Sequence, residues 1–294
     1  MENMERTKKN TKRKIVDTVM GVVLACGIGI LSYPFIRNSL NDLMNQQIIQ
    51  HYQQQANQKS TEEYQLKLAE MEAKNKQFAY QNISPGFDPF SEEARKVEDL
   101  KTVYEDHVLG VISIPKIQIR LPIFDQTRED FLARGATYLE GTSFPIGGES
   151  THSVISGHRG LTEAKLFTDL PNLVEGDRFY IELKESEIHA YQVDKIQVVD
   201  PSDVSSLQIV EGQDYVTLVT CTPYMVNSHR ILVRGHRIPY KAEIMEAEVK
   251  QVAVLPANYI PLFIGIPVSF IFLAILLKKC CGKMKLSRKS HKRN

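Results

Sequence analysis

Cys221 ends the run Tyr215-Val216-Thr217-Leu218-Val219-Thr220-Cys221, and Thr222-Pro223 follows it. The run is rich in β-branched residues and reads as a strand. Proline, which has no N–H to donate, cannot continue it centrally. The thiol therefore falls at a strand end, on a rim that a substrate can reach. Nine residues on, past a turn through Asn227-Ser228, Arg230 opens a second strand, Arg230–Arg234. A hairpin brings Arg230 back beside Cys221. Alternation puts Arg230, Leu232 and Arg234 on one face and Ile231 and Val233 on the other. A guanidinium near a thiol favours the thiolate and can donate to an oxyanion. The plainer reading of Arg230 is a strand residue in a surface salt bridge.

A thiol nucleophile needs a base or an ion-pair partner, most often histidine. Two histidines compete for that role. His158 follows the run Ser153–Ser156 through Gly157 and precedes Arg159-Gly160, a glycine-flanked loop at a strand end. His229 stands beside Arg230, in the turn after Cys221. Spacing leaves both open. His152, His189 and His236 read as ordinary strand or edge residues. No His, Asp or Glu set has metal-ligand spacing, so neither metal nor cofactor is expected.

The elements that must position these groups lie between two apolar runs. Val19–Ile36 and Val252–Leu277 carry no charge, and each is long enough to cross a bilayer at about 1.5 Å per residue. Residues 1–14 hold six Lys/Arg and residues 278–294 hold eight, while 37–259 hold 22 basic and 32 acidic residues, a net of −10. Basic flanks place both termini in the cytoplasm and the acidic middle outside. A cleaved leader fits the first run poorly, because no small-x-small pattern follows it. The acidic middle also excludes a nucleic-acid-binding core. Of the four cysteines, Cys26 lies in the first run, Cys280 and Cys281 follow the second, and only Cys221 belongs to the outer part. An intramolecular disulfide there is excluded, and Cys221 is either an inert buried residue or a nucleophile.

Between the spans, residues 37–80 are polar with apolar residues at helical spacing, which predicts a solvated helical spacer. Residues 82–91 hold Pro85, Gly86 and Pro89 and form a turn-rich break, yet Phe87 and Phe90 are odd in a linker. From Val108 to Ile238 come short strands bounded by Gly, Pro and Asp: 111–114, 117–121, 153–156, 178–181, 189–199, 215–220 and 230–234. That pattern argues for an all-β sandwich or closed barrel of about eight strands. Short helices are expected at Phe131–Arg134 and Ala164–Leu170. The chain divides into a basic tail (1–14), a span (15–36), the spacer (37–80), a turn-rich segment (81–104), a β domain (105–240), a linker (241–258), a second span (259–277) and a basic tail (278–294).

Thr217-Leu218-Val219-Thr220-Cys221 resembles the TLxTC motif of sortases, the transpeptidases that attach proteins to the Gram-positive cell wall. The resemblance covers roughly residues 105–240 and implies a sortase-like closed β-barrel. It makes Cys221 the acylated nucleophile, selects His158 over His229, and gives Arg230 the arginine's role. Thr217, Leu218 and Thr220 carry the motif and would contribute to substrate binding. Phe87-Asp88-Pro89-Phe90 is similar to the lid of class C, pilin-polymerising sortases. By that match Asp88 pairs with Arg230 and Phe90 rests over Cys221; the aromatic is often Trp in that subfamily. The second span is also a class C feature. The resemblance implies cleavage of an LPxTG-like signal and transfer of the Thr carbonyl to a pilin Lys, with pilin subunits, the membrane and a downstream wall-anchoring sortase as partners. A sortase that anchors single proteins to peptidoglycan is the alternative. A non-catalytic membrane-tethered β-barrel binding module, with Cys221 inert, is the distant one.

Overall fold

The structure is a computed structural model that describes residues 2–58, 61–81, 88–91, 104–162, 164–184 and 187–253. Among the described residues, four helices and eight strands run in the order α1 (Glu2–Gln58), α2 (Thr61–Gln81), β1 (Val108–Ile114), β2 (Ile119–Phe124), α3 (Glu129–Leu132), β3 (Ala136–Tyr138), β4 (Thr151–Ser156), β5 (Arg178–Lys184), β6 (Glu187–Val199), β7 (Asp214–Thr222), β8 (His229–Ile238) and α4 (Ala242–Ala253).

The strands close into one barrel in the order β1-β2-β3-β4-β7-β8-β6-β5. β2–β3 and β4–β7 pair in parallel and every other neighbour is antiparallel. Closure removes the open edges that a sheet of this size would otherwise expose. The interior is filled by alternate residues such as Ile112, Ile114, Ile123, Ile155, Phe179, Ile181, Tyr191, Leu218 and Val233. The alternation expected in 230–234 holds: Ile231 and Val233 join this interior, and Leu232 packs on the other face.

Several boundaries differ from the sequence expectation. Ile117 is not in a strand, because Pro115–Ile117 form a 3-10 turn and Gln118 is left-handed with φ 55°, so β2 begins at Ile119. β3 has only three residues, too few for a periodic signal. The helix expected at 131–134 is Glu129–Leu132. The one expected at 164–170 is a series of turns ending in a 3-10 turn, Leu170–Asn172.

The described residues fall into two compact units, one within residues 2–39 and the other within residues 40–253. In the first, the described part of α1 exposes Val19, Met20, Val23, Leu24, Ile30 and Leu31. It is the one helix among the described residues long and apolar enough to cross a membrane. The expected second span, 259–277, lies outside the described residues.

In the second unit, the expected solvated spacer is a packed part of the domain. Ile48, Ile49 and Ala56 are buried, and the Tyr52 hydroxyl lies 2.8 and 2.6 Å from the carbonyls of Leu109 and Leu183. On α2, Tyr64 donates to Glu187 at 2.7 Å, and the Asn75 amide brackets the backbone of Phe144 with bonds of 3.2 and 2.7 Å. The apolar positions that suggested an amphipathic helix thus have the barrel wall as their partner. The segment expected as a linker is also corrected. Helix α4 docks Met245 against Tyr180 and Ala190, and Glu248 takes hydrogen bonds from Arg178 and Tyr180.

Candidate active site

Strand register brings three side chains into one row. β7 and β8 pair Cys221 directly with Arg230. β4 and β7 run parallel with Ser156 opposite Val219. His158, two residues beyond Ser156, therefore comes level with Cys221, two beyond Val219. Because side chains alternate, all three project from the same face of the sheet. Val154, Val219, Cys221 and Leu232 pack together on that face and confirm it.

The turn that carries His158 is braced from both ends. Gly157 N–H donates to the Val219 carbonyl at 3.1 Å, and the Thr220 hydroxyl donates to the Gly157 carbonyl at 2.6 Å. A Cβ on Gly157 would meet the Phe167 ring at 2.7 Å, which explains the glycine before the histidine. Arg159 reaches across to the end of β7, donating to the Thr222 hydroxyl at 3.1 Å and the Cys221 carbonyl at 3.4 Å. The separation of His158 from Cys221 is thereby held by backbone and guanidinium bonds rather than by the two side chains alone.

His229, the rival base, has an exposed side chain whose Nδ1 is 2.9 Å from Ser228 Oγ. It pairs with Thr222 and so points away from the Cys221 row. Thr217, Leu218 and Thr220, expected to help bind substrate, are buried at 1%, 0% and 0% exposure. Leu218 fills the barrel interior and Thr220 ties β7 to the Gly157 turn. The Thr217 hydroxyl lies 2.7 Å from His152 Nε2. These three position the strand that carries the thiol and offer substrate no surface.

The short turn at 88–91 covers the row. Ser91 N–H donates to the Asp88 carbonyl, closing the turn round Pro89 and Phe90. Asp88 takes a two-pronged bond from Arg230, Nε to Oδ1 at 2.8 Å and Nη2 to Oδ2 at 2.5 Å. Arg230 Nη1 donates to the carbonyls of Asn227 and His229, both at 2.9 Å. Four of its five N–H groups are thus engaged within the chain. Burial alone would lower the Arg230 pKa. The Asp88 hydrogen bonds and the negative charges of Cys221, Asp88 and Asp200 outweigh it, and the net shift is upward.

Phe90 is buried with Cys221, Val219, Leu232, Leu132 and Leu207. Its ring lies 5.5 Å from that of His158, and the Arg230 Cζ sits 5.2 Å from its centre. Cys221 and Arg230 keep only 6% and 8% exposure. The thiol expected at an accessible rim is covered by the chain's own turn. Phe87 and most of the expected lid segment, 81–104, lie outside the described residues. Among the described residues no group of three His, Cys, Asp or Glu could hold a metal ion.

A closed mixed barrel thus brings a thiol, an imidazole and a guanidinium together at adjacent strand ends, the set of groups that thiol acyl transfer can use. The Sortase domain model matches residues 112–238. Sortase A of Bacillus anthracis is 31% identical over 138 residues, 46% of this chain and 62% of that protein. Sortase D of Bacillus subtilis is 30% identical over 132 residues, 44% of this chain and 63% of that one. The chain thus spans about three fifths of the length of these curated relatives. Solved structures match more of it. Sortase C-1 from Streptococcus pneumoniae is 43% identical, with TM-score 0.58 over 67% of this chain and all of that one. Sortase C1 of Streptococcus agalactiae is 41% identical, with TM-score 0.61 over 68% and 99%. A further neighbour, at 43% identity, TM-score 0.58 and coverage of 65% and 97%, is the pilus-related sortase C of Group B Streptococcus. This chain belongs to the sortase family, and the three solved neighbours just named are sortases C.

Proposed function

We propose that this protein is a membrane-anchored transpeptidase that polymerises pilin subunits. The Cys221 thiolate attacks the Thr carbonyl of an LPxTG-like sorting signal. The C–N bond to the following Gly breaks, and the imidazolium of His158 gives its proton to the leaving amine. Arg230 donates to the oxyanion of the tetrahedral intermediate. A Lys amine of a second pilin then attacks the thioester and returns a proton to His158. The C–S bond breaks, the Cys221 thiolate is regenerated beside the imidazolium, and an isopeptide bond remains.

The bond broken supplies the energy of the bond made, so no cofactor is needed outside the cell. Holding enzyme and substrate in one membrane plane raises their effective concentration. The apolar stretch of α1 serves as one anchor, and residues 259–277 serve as a second.

The observation that carries the pilin reading is the Asp88–Arg230 clamp with Phe90 over Cys221. While it is closed, the guanidinium is engaged and the thiol is dry. A substrate must displace the turn before the row can work, which limits thioester hydrolysis and selects for a partner able to open it.

The test uses the full chain in phospholipid nanodiscs with a purified pilin that keeps its sorting signal. Mass spectrometry is expected to find a thioester on Cys221 and a Lys–Thr isopeptide ladder that vanishes in Cys221→Ala. A thioester or hydrolysis without pilin linkage, also in Asp88→Ala, would move the reading to peptidoglycan anchoring. No adduct in either form would reject the enzyme reading for that substrate.

A further inference from the structure

His158 meets a carboxylate that the proposed reaction does not use. Glu129 Oε1 lies 3.3 Å from His158 Nε2. Glu129 is the first residue of α3, and that short helix is locked by packing. Arg128, just before it, forks onto Asp130 at 3.0 and 2.9 Å and lies over the Phe131 ring at 4.7 Å. Phe131 is fully buried and stacks on Phe124 with centroids 4.7 Å apart. Leu132 packs in the same cluster as Cys221 and Phe90. One turn of helix therefore presents Glu129 to the imidazole and Leu132 to the thiol's apolar surroundings.

An imidazole has two distinct nitrogens, and the bond made by one sets the role of the other. A carboxylate only accepts, so the proton facing Glu129 belongs to Nε2. In that tautomer Nδ1 is the nitrogen able to exchange a proton with the thiol. The negative charge also favours the protonated ring. Among the described residues, the charged groups on the surrounding elements include Cys221 on β7, Arg230 on β8, Asp88 in the covering turn, Arg159 in the histidine's own loop, and Arg128 and Asp130 at α3, which pair with each other. Asp88 and Arg230 neutralise each other.

We infer that Glu129 is the positioning residue of His158, fixing its tautomer and stabilising the imidazolium that protonates the leaving amine. This rests on the role proposed above for His158. The Glu129 side chain is 41% exposed and that of His158 13%, so solvent screens the pair in part.

The test uses the full chain in nanodiscs in the Asp88→Ala background, with a peptide containing Leu-Pro-Glu-Thr-Gly as the probe. Glu129→Gln, of equal size, is expected to lower kcat about three- to fivefold, the scale of a partly exposed pair, with KM unchanged. Removing the charge lets the imidazolium lose its proton at lower pH, so the alkaline limb of the kcat profile moves down. Glu129→Asp restores part of both effects. The titration of the His158 ring, followed by NMR of 13C-labelled histidine, moves down in Glu129→Gln without any need for turnover. Superimposable profiles and ring titrations in the two forms, with His158→Ala inactive, would overturn the role of Glu129 and leave that of His158 standing. A His158→Ala form that still turns over would instead remove the His158 reading, and the ring titration alone would then decide whether Glu129 acts on the imidazole.

Discussion

In the proposed cycle Arg230 serves two states. Its upward-shifted pKa keeps it charged at every relevant pH, and with Asp88 in place that charge is satisfied within the chain. Asp88→Ala leaves the guanidinium without its two-pronged partner and loosens the turn that carries Phe90. One charge-assisted bond is worth about 1.5 kcal/mol or more, so alkylation of Cys221 by iodoacetamide should quicken at least about tenfold. An unchanged rate would remove the covering role of 88–91. His152, a fully buried histidine, is structural. Its Nδ1–H donates to the Gln208 carbonyl at 2.8 Å and its Nε2 accepts from Thr217 at 2.7 Å, which makes it a neutral ring. Burial lowers its pKa to about 4. The unfolded ring takes its proton near pH 6.5, so between those values the unfolded state binds more protons. The stability this ring contributes is present above pH 6.5 and is lost as pH falls towards 4, about 3 kcal/mol in all. Thermal midpoints of the full chain in detergent at pH 7 and 4.5 should differ less in His152→Gln than in the wild type. An equal difference would mean that His152 does not titrate on unfolding.

At the scale of elements, the active row depends on the parallel β4–β7 pair and the antiparallel β7–β8 pair meeting in register. The Ser156-Gly157-His158 turn is the least tolerant joint. In Gly157→Ala the new methyl must displace the Phe167 ring or lift His158 off the row. Overpacking of this kind costs roughly 1–3 kcal/mol, and the thermal midpoint should fall together with thioester formation. Retained acylation at wild-type rate would show that the turn can shift without moving the imidazole. The two strands that carry Cys221 and Arg230 were legible in the sequence because each is a long alternating run ended by a turn. The joint at Gly157 was legible as a glycine-flanked histidine. Glu129 was not, since a four-residue helix has no periodicity and the carboxylate meets His158 only through β3 and β4. The same limit hid β3 itself.

At the scale of the whole chain, the helices change meaning. Residues 37–80 read as a solvated spacer, yet Ile48, Tyr52, Tyr64 and Asn75 meet the barrel wall. Deleting residues 1–36 should therefore leave the barrel folded, and membrane fractionation should find the protein still bound if residues 259–277 form a second anchor. Release into the soluble fraction on that single deletion would exclude the second anchor. Removing both segments should release a form that still reacts at Cys221.

By itself, the sequence determined an all-β domain, sandwich or closed barrel, the apolar run of α1 and the candidates Cys221 and Arg230 with His158 or His229, because alternation, hydropathy and strand ends are local signals. The choice of His158 over His229 needed the motif's resemblance, and the structure explains it by facing His229 outward. Only the tertiary structure decided that Thr217, Leu218 and Thr220 are buried supports, that the spacer is part of the domain, and that Glu129 stands at the imidazole. Each of these depends on residues far apart in the chain that share a face only after the barrel has closed, and no spacing along one strand or helix encodes that closure.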